Sequence, residues 1–395
     1  MNKIAVVFPG QGSQFIGMGK SLCQQFKIAE QVYEEAEEVL SIPLRQICYG
    51  GRISELNRIT TLFPAIITYG VASYRVFEEV TEIKPDYMAG HSLGEYAALV
   101  CSGILNFADA VRLVEKRASL CLKYSLGEHG TMTVIDGLDA DAVLKYCQYL
   151  LQEGENVYIA CYNKETQVVV SGCSQAVMKL EDMVIEAGAQ ISPMIMMPPF
   201  HSPLMQPVVK EMETLLSSIS FQEGSVAVIA NVDGMPYPFR KEEIIKTLTK
   251  HLVSPVMWCQ SQQYMQRNGV GTVVEMGAHH YLTKMVQEII PECKVYAYGV
   301  NQDWNLSESS GVNDSRQRDR IKEYIKIVVG TRNYSNNKKD YDEKIIRKYR
   351  ELEAIQNDRN AIERAEKLLQ EILDLKEVPE SVRKQYREEL EAYQK

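Results

Sequence analysis

The sequence lacks the cysteine pairs that a disulfide framework or a zinc site would need. Its 395 residues include nine cysteines, an odd number, and no Cys-x-x-Cys spacing occurs. Several of these cysteines lie inside apolar stretches, so we expect buried, reduced thiols. Long hydrophobic runs are also missing, because the first one, residues 4–8, ends at once at Pro9-Gly10. The sequence therefore predicts a cytoplasmic protein without a membrane partner.

The sequence also lacks an excess of positive charge. The formal net charge is -9 at pH 7, so the composition gives no support to nucleic-acid binding. What the chain does have is a hydrophobic fraction of 45%, which is ample for a large core and for two or three structural units. We find no motif for a metal ion or for a tightly bound organic cofactor.

Short apolar segments that run into tight turns and helices predict an α/β fold with a parallel sheet. Residues 4–8 and 87–90 are the first two such strands. Between residues 131 and 197 the predicted order changes to strand, helix, strand, strand, helix, strand, which is the ferredoxin-like arrangement. We therefore predict a ferredoxin-like subdomain, residues 131–197, inserted into a body formed by residues 1–130 and 198–302.

The character of the sequence changes after residue 302. Residues 303–340 are mostly polar and are predicted to be a linker, although a short apolar stretch occurs at 321–329. Residues 341–395 are predicted to be a helical extension with narrow apolar stripes, interrupted at Pro379. Such stripes usually pack on their own protein, and binding of a partner is the less common alternative.

Gly90-His91-Ser92-Leu93-Gly94 has the Gly-x-Ser-x-Gly pattern of a nucleophile elbow, with a predicted strand before it and a helix after it. The two glycines let the backbone pass through a strained turn whose neighbours would otherwise clash. The serine hydroxyl then stands at a helix N-terminus, which favours developing negative charge. We predict that Ser92 is a nucleophile and that the backbone N–H of Leu93 is an oxyanion donor.

A serine nucleophile needs a base, and the chain has six histidines. The side chain of His91 should point away from the serine hydroxyl, and His251 ends a predicted helix. His201 lies between prolines that stiffen its loop, where the chain returns from the subdomain to the body. From chemistry alone His201 leads without excluding the remaining histidines, which are His129, His279 and His280.

Together these motifs resemble the malonyl-CoA:acyl carrier protein transacylases. More narrowly, they resemble the free-standing acyltransferases that serve modular polyketide synthases in trans. The resemblance covers roughly residues 1 to 300 and implies an α/β-hydrolase-like body with a ferredoxin-like insertion. It is carried, in chain order, by Phe8-Pro9-Gly10-Gln11-Gly12-Ser13-Gln14, Gly90-His91-Ser92-Leu93-Gly94-Glu95, Arg117 and Phe200-His201-Ser202-Pro203.

The resemblance implies a role for each matching residue. Ser92 would be the nucleophile and His201 the general base, in a dyad without a carboxylate. The main-chain carbonyl of His251 would orient the imidazole, and Gln11 would be the second oxyanion donor beside Leu93. Ser92 would take an acyl group from malonyl-CoA and pass it to the phosphopantetheine thiol of an acyl carrier protein, in a ping-pong reaction. No tightly bound cofactor is implied.

Two further residues would select the acyl group. Arg117 matches the arginine that binds the free carboxylate of a malonyl unit bidentately. Phe200 would crowd the α-carbon and favour malonyl over methylmalonyl. The sequence departs from the family pattern at Phe63 and at His251, where glutamine is common, and Glu275-Met276-Gly277-Ala278-His279 replaces Glu-x-Gly-Pro-Gly. These departures leave the shape of the pocket open.

Two other functions remain open at this point. An acyl hydrolase of the same fold would use Ser92 and His201 to clear stalled acyl chains from carrier proteins. A neutral acyl chain would, however, leave the guanidinium of Arg117 unpaired, which is unfavourable. A non-catalytic scaffold would recruit polyketide synthase subunits through the C-terminal helices, and it would need none of the motif residues.

Overall fold

The protein is described by a computed structural model that covers residues 3–125, 130–194, 197–277, 279–298, 320–331, 334–335, 344–354 and 362–392. The strands within these ranges are β1 (Lys3–Phe8), β2 (Tyr87–Gly90), β3 (Gly130–Asp136), β4 (Val157–Lys164), β5 (Gln167–Cys173), β6 (Gln190–Met194), β7 (Ala227–Ile229), β8 (Val270–Glu275) and β9 (Lys294–Ala297). The helices are α1 (Lys20–Gln25), α2 (Lys27–Leu40), α3 (Leu44–Gly50), α4 (Ile53–Leu56), α5 (Ile59–Thr81), α6 (Gly94–Cys101), α7 (Phe107–Ser125), α8 (Ala140–Gln152), α9 (Ser174–Glu186), α10 (Gln206–Ser217), α11 (Lys241–His251), α12 (Trp258–Arg267), α13 (Tyr281–Ile289), α14 (Arg320–Gly330), α15 (Ile346–Ala354), α16 (Ile362–Leu375) and α17 (Glu380–Ala392).

Five parallel strands form the central sheet of the body, in the order β7-β2-β1-β8-β9. This arrangement confirms the predicted α/β fold with a parallel sheet, whereas the α/β-hydrolase-like description of the body stays a prediction. Strand β9 was not predicted, because its four residues are half-buried or exposed and give no marked apolar run. In the register of the sheet, Phe8 pairs with Gly90, so the turns that follow β1 and β2 leave the sheet side by side.

A separate antiparallel sheet has the order β4-β5-β3-β6 and carries α8 and α9. The predicted strand and helix order of the subdomain is therefore present. Its core is its own, with Val143, Val157 and Val177 fully buried. Backbone hydrogen bonds join its edge strand β4 to the body, since the N–H of Tyr162 donates to the carbonyl of Val256 over 2.8 Å. This connection joins the subdomain to the body at Val256.

The C-terminal helices α14 to α17 form a third core, which buries Tyr324, Leu352, Leu369 and Ile372. Their apolar stripes therefore pack on the chain itself. Pro379 lies between α16 and α17, where the sequence predicted a break. Among the described helices, none combines the length and the apolar character that a membrane crossing requires.

Helix α14 corrects the prediction that residues 303–340 are a linker throughout. Its apolar residues recur at helical spacing, and Tyr324 and Val328 are buried against the later helices. The buried ammonium of Lys376 joins α14 to α16, because its Nζ donates to the carbonyls of Val328 and Thr331, each over 2.6 Å. The polar residues on either side of α14 hid this helix from the compositional argument.

Candidate active site

The Ser92 motif forms a tight turn between β2 and α6. Ser92 itself has a φ of 52°, in the left-handed region that non-glycine residues seldom adopt. Both flanking glycines are required by close packing: a Cβ on Gly90 would lie 2.0 Å from the carbonyl carbon of Gly94, and a Cβ on Gly94 would lie 2.1 Å from the carbonyl oxygen of Phe8. Strand β1, strand β2 and helix α6 thus meet too closely for any side chain at these positions.

The structure brings Ser92 and His201 together, although they are far apart in the chain. The Oγ of Ser92 lies 2.6 Å from Nε2 of His201, and Nδ1 of His201 lies 2.9 Å from the carbonyl oxygen of His251. A carbonyl can only accept, so Nδ1 carries the proton and Nε2 is free to accept the serine proton. The main chain of His251 thereby fixes the tautomer that a general base requires.

His201 is held in a strained and buried position. Its φ is 58° and its side chain is 2% exposed. Two hydroxyls stabilise the loop around it: Ser171 donates to the carbonyl of Phe200 over 2.8 Å, and Ser202 donates to the carbonyl of Pro199 over 2.6 Å. Burial lowers the pKa of His201 well below its ordinary value of 6.5, and the neighbouring His251 and Arg117 lower this pKa further. The imidazole is therefore neutral at neutral pH and able to accept a proton.

Asn231 clamps the nucleophile turn from the side of β7. Its Oδ1 accepts from the backbone N–H of Ser92 over 2.7 Å, and its Nδ2 donates to the carbonyl of Gly90 over 2.6 Å. The side chain thus spans the turn and opposes its strain. Sequence analysis missed this residue, although a polar side chain just beyond the carboxyl end of a parallel strand is a signal that could have found it.

Glu95 is fully buried in the first turn of α6 and joins several parts of the site. Its Oε1 accepts from the backbone N–H of Asn231 over 2.8 Å and from the hydroxyl of Tyr237 over 2.9 Å. Its Oε2 lies 2.8 Å from Nδ1 of His251, whose side chain is also fully buried. We call Glu95, Asn231, Tyr237 and His251 the Glu95 network.

Arg117 lies in α7 and is 1% exposed. Its Cζ is 5.7 Å from the ring centre of Phe63, 5.6 Å from that of Tyr96 and 5.7 Å from that of Phe200. Within the described part of the chain, its Nε and Nη1 have no hydrogen-bond partner. We call Arg117 and these three rings the Arg117 pocket. Tyr96 was not predicted to belong to it, although its position four residues after Ser92 places it on the helix that leaves the elbow.

The two residues predicted to stabilise an oxyanion lie at the turns beside Ser92. Leu93 directly precedes α6 and its side chain is buried. The turn with Gln11 packs on the elbow, since a Cβ on Gly10 would lie 2.5 Å from the carbonyl oxygen of His91. The amide Nε2 of Gln11 donates to the sulfur of Met197. A thioether is a weak acceptor, so a stronger acceptor can replace it.

Three of the other described histidines, His91, His279 and His280, bond or pack on residues outside the dyad. Nε2 of His91 lies 2.8 Å from Oδ1 of Asn163, and its ring packs edge-on against Trp258. His279 packs against Phe15, while His129 lies outside the described residues. In the portion of the chain that is described, no group of three or more His, Cys, Asp and Glu side chains could hold a metal ion.

Comparison with known proteins identifies the family. Residues 5–305 match the acyl transferase domain family. A malonyl CoA-acyl carrier protein transacylase of Bacillus subtilis is 35% identical over 345 residues, which cover 86% of this chain and 86% of the relative. The chain belongs to the malonyl-CoA:acyl carrier protein transacylase family. The Escherichia coli K12 member is 36% identical over 291 residues, which cover 73% of this chain and 94% of that protein.

Solved structures of the family share the fold. An acyl carrier protein S-malonyltransferase from Vibrio cholerae has a TM-score of 0.73 and 35% identity, and the match covers 77% of this chain and 98% of that one. A malonyl-transacylase in complex with a type II PKS acyl-carrier protein has a TM-score of 0.72 and 36% identity, with 77% of this chain and 97% of that chain covered. These family members match the mixed α/β architecture with its parallel and antiparallel sheets.

Proposed function

We propose that the chain transfers malonyl units from malonyl-CoA to the phosphopantetheine thiol of an acyl carrier protein through an ester on Ser92. The observation that carries this proposal is the state of Arg117, a buried guanidinium with unpartnered N–H groups. It contacts Phe200, whose ring centre is 6.5 Å from that of His201, so the cation and the dyad belong to one site. A malonyl thioester has a carboxylate that Arg117 can bind and a carbonyl that the Ser92–His201 dyad can attack.

In the first half of the reaction, Oγ of Ser92 attacks the thioester carbonyl carbon while its proton passes to Nε2 of His201. The N–H groups of Leu93 and Gln11 stabilise the resulting oxyanion. The carbon–sulfur bond then breaks, and the departing coenzyme A sulfur takes the proton from His201. Malonyl-Ser92 remains, and its carboxylate is bound by Arg117.

In the second half, the thiol of the carrier protein replaces coenzyme A. His201 accepts the thiol proton as the sulfur attacks the ester carbonyl, and the same donors stabilise the second oxyanion. The bond to Oγ of Ser92 breaks, and His201 returns the proton to that oxygen. Each proton accepted by His201 is therefore given back within the same half-reaction, which suits a base that is neutral at rest.

The Arg117 pocket also supports a preference for the unbranched malonyl group. The rings of Phe63 and Phe200 are 5.7 Å apart and both are buried, so they leave little room beside the bound carboxylate. The additional methyl group of methylmalonyl would meet these rings, and such a contact is worth about 1–3 kcal/mol of discrimination. We therefore propose malonyl as the preferred acyl group.

The names of the relatives support the substrate and partner. The Bacillus and Escherichia proteins are named malonyl CoA-acyl carrier protein transacylases, and a similar structure contains a PKS acyl-carrier protein. We propose that this chain loads carrier proteins in trans for a polyketide synthase. A chain that loads only fatty acid synthase carriers, when both kinds are offered, would contradict that assignment of client.

The test is the intact-protein mass after brief incubation with malonyl-CoA, beside acetyl-CoA and methylmalonyl-CoA. We expect a malonyl adduct in the wild type, much less of the other adducts, and none in Ser92→Ala. Addition of a carrier protein with its phosphopantetheine arm should remove the adduct and acylate the carrier. An adduct that is lost to water at the same rate without the carrier would instead support an acyl hydrolase.

For the helical extension we propose a docking role toward synthase subunits. The helices α14 to α17 form a core separate from that of the body, so a partner would meet their exposed faces and not the apolar stripes, which pack on the chain itself. The match to the Bacillus relative covers about 340 of the 395 residues and thus extends beyond the body. A chain truncated after residue 302 should still form the malonyl adduct but lose transfer to its own synthase relative to an isolated carrier. A folded truncation that no longer forms the adduct would contradict this proposal.

A further inference from the structure

The carboxylate of Glu95 lies between the two catalytic residues, although it touches neither of them. Through Asn231 it reaches the backbone of Ser92, because the N–H of Asn231 donates to Oε1 of Glu95 and the side chain of Asn231 holds the elbow. On its other side, Oε2 of Glu95 lies 2.8 Å from the ring of His251, whose carbonyl accepts from His201. One buried carboxylate therefore connects the position of the nucleophile with that of the base.

The contact between Glu95 and His251 joins the residues that hold Ser92 to the residue that orients His201. Oε2 of Glu95 lies 2.8 Å from the ring nitrogen Nδ1 of His251, which is an ion-pair distance without hydrogen-bond geometry, and within the described residues neither atom has a hydrogen-bond partner. That ring also stacks on the ring of His201, with 4.8 Å between the centres and 30° between the planes. A shift of His251 would therefore move both the stacking surface and the carbonyl that orient the base.

The surroundings favour a carboxylate at Glu95 that stays in place. It lies in the first turn of α6, and His251 is the last residue of α11, so both side chains extend from helix ends. Burial, with the nearby Glu95, raises the pKa of Tyr237 well above its ordinary value, so the Tyr237 hydroxyl remains a donor. The backbone N–H of Asn231 and the hydroxyl of Tyr237 thus both donate to Oε1 of Glu95, while Nδ1 of His251 lies at ion-pair distance from Oε2.

We propose that Glu95 and the side chain of His251 are positioning residues, which together hold the Ser92–His201 dyad in its reactive geometry. The proposal rests on the acyl-enzyme mechanism proposed above. It explains a departure from the family pattern, because at position 251 a histidine or a glutamine can each present an N–H to Glu95, whereas an apolar side chain cannot.

The experiment compares His251→Leu with His251→Gln, which both keep the main-chain carbonyl and differ in the N–H donor. Rapid-quench intact mass gives the rate of Ser92 malonylation as a function of malonyl-CoA concentration, and circular dichroism checks folding. We expect the maximal rate of His251→Leu to fall about tenfold or more with little change in the half-saturating concentration. His251→Gln should stay within about threefold of the wild type, since its amide restores the donor.

Glu95→Gln completes a double-mutant cycle. If Glu95 acts through His251, the change His251→Leu should lower the rate much less in the Glu95→Gln background than in the wild type. Equal rates for the leucine and glutamine variants, or a change confined to the half-saturating concentration, would overturn the proposal even if Glu95→Gln failed to fold. A wild type that forms no adduct would overturn the acyl-enzyme mechanism first, so the two failures are distinguishable.

Discussion

Two central side chains of the active site, Asn231 in one half and Arg117 in the other, differ in how fully their polar groups are paired. All four polar groups of Asn231 in the Glu95 network form hydrogen bonds, two of them to the nucleophile turn. In the Arg117 pocket, Nε and Nη1 have no hydrogen-bond partner within the described chain, and Cζ is 5.7 Å from the ring centre of Phe63. Asn231 is therefore fully paired without a substrate, whereas in the proposed function the carboxylate of the substrate would supply the missing partners of Arg117.

Of the changes considered, removal of the Arg117 guanidinium should have the largest effect on malonylation. We expect Arg117→Ala to lower the efficiency of malonylation by about a hundredfold or more, because two charge-assisted hydrogen bonds to the malonyl carboxylate are lost. Acetylation should fall far less or rise, since acetyl-CoA has no carboxylate to bind. Competition between malonyl-CoA and acetyl-CoA, followed by intact mass, measures the change in selectivity.

Two variants control for that experiment. Arg117→Lys keeps a positive charge but loses the planar fork, so it should recover only part of the selectivity. Arg112→Ala removes an exposed arginine of the same helix, which pairs with Asp109, and should leave malonylation unchanged. Unaltered preference for malonyl in Arg117→Ala would show that the unpaired guanidinium does not select the acyl group.

Loss of the Asn231 side chain, which holds the turn at Ser92, should have the next largest effect on malonylation. Asn231→Ala removes the bonds that hold the backbone of Ser92 and Gly90, and we expect the maximal rate of malonylation to fall about tenfold. Selectivity between malonyl-CoA and acetyl-CoA should not change, because the Arg117 pocket is intact. Asn163→Ala is the matched control, since that side chain bonds to His91 instead of the dyad. A selectivity change in Asn231→Ala would mean that the two halves cannot be treated separately.

More could be predicted from the sequence about the two side chains that meet at this site than about the residues that support them. Ser92 and His201 could be selected as candidates because each lies in a local motif, a glycine-flanked turn and a proline-flanked loop, and the structure places them 2.6 Å apart. Asn231 and Tyr237 act on the elbow and on Glu95 across more than 130 positions of the chain, and no local pattern encodes such a contact. Helix α14 was missed for a related reason, because its partners in the core lie in later helices.

We expect a smaller effect on malonylation from Phe63→Gln, which introduces the residue that is common at this position in the family. In Phe63→Gln, the amide oxygen can accept from Arg117, so the guanidinium would be partly paired before substrate binds. We expect the half-saturating concentration of malonyl-CoA to rise about fivefold with little change in the maximal rate, since one such bond is worth about 1 kcal/mol. Phe63→Leu, which offers no acceptor, is the control. Tighter binding of malonyl-CoA by the glutamine variant would contradict the idea that an unpaired guanidinium favours the substrate.

The smallest effect expected is that of pH between about 8 and 6 on wild-type malonylation. His201 must be neutral to accept the proton of Ser92, and burial, together with His251 and Arg117, keeps its pKa well below 6.5. The rate should therefore be nearly constant across this range and fall only at lower pH, as His201 becomes protonated. In Arg117→Ala, the loss of a nearby positive charge should move this fall toward higher pH. Single-turnover rates, with circular dichroism at each pH to separate acid unfolding, test both expectations. A fall centred at 6.5 or above in the wild type would show that the two halves do not jointly keep the base neutral.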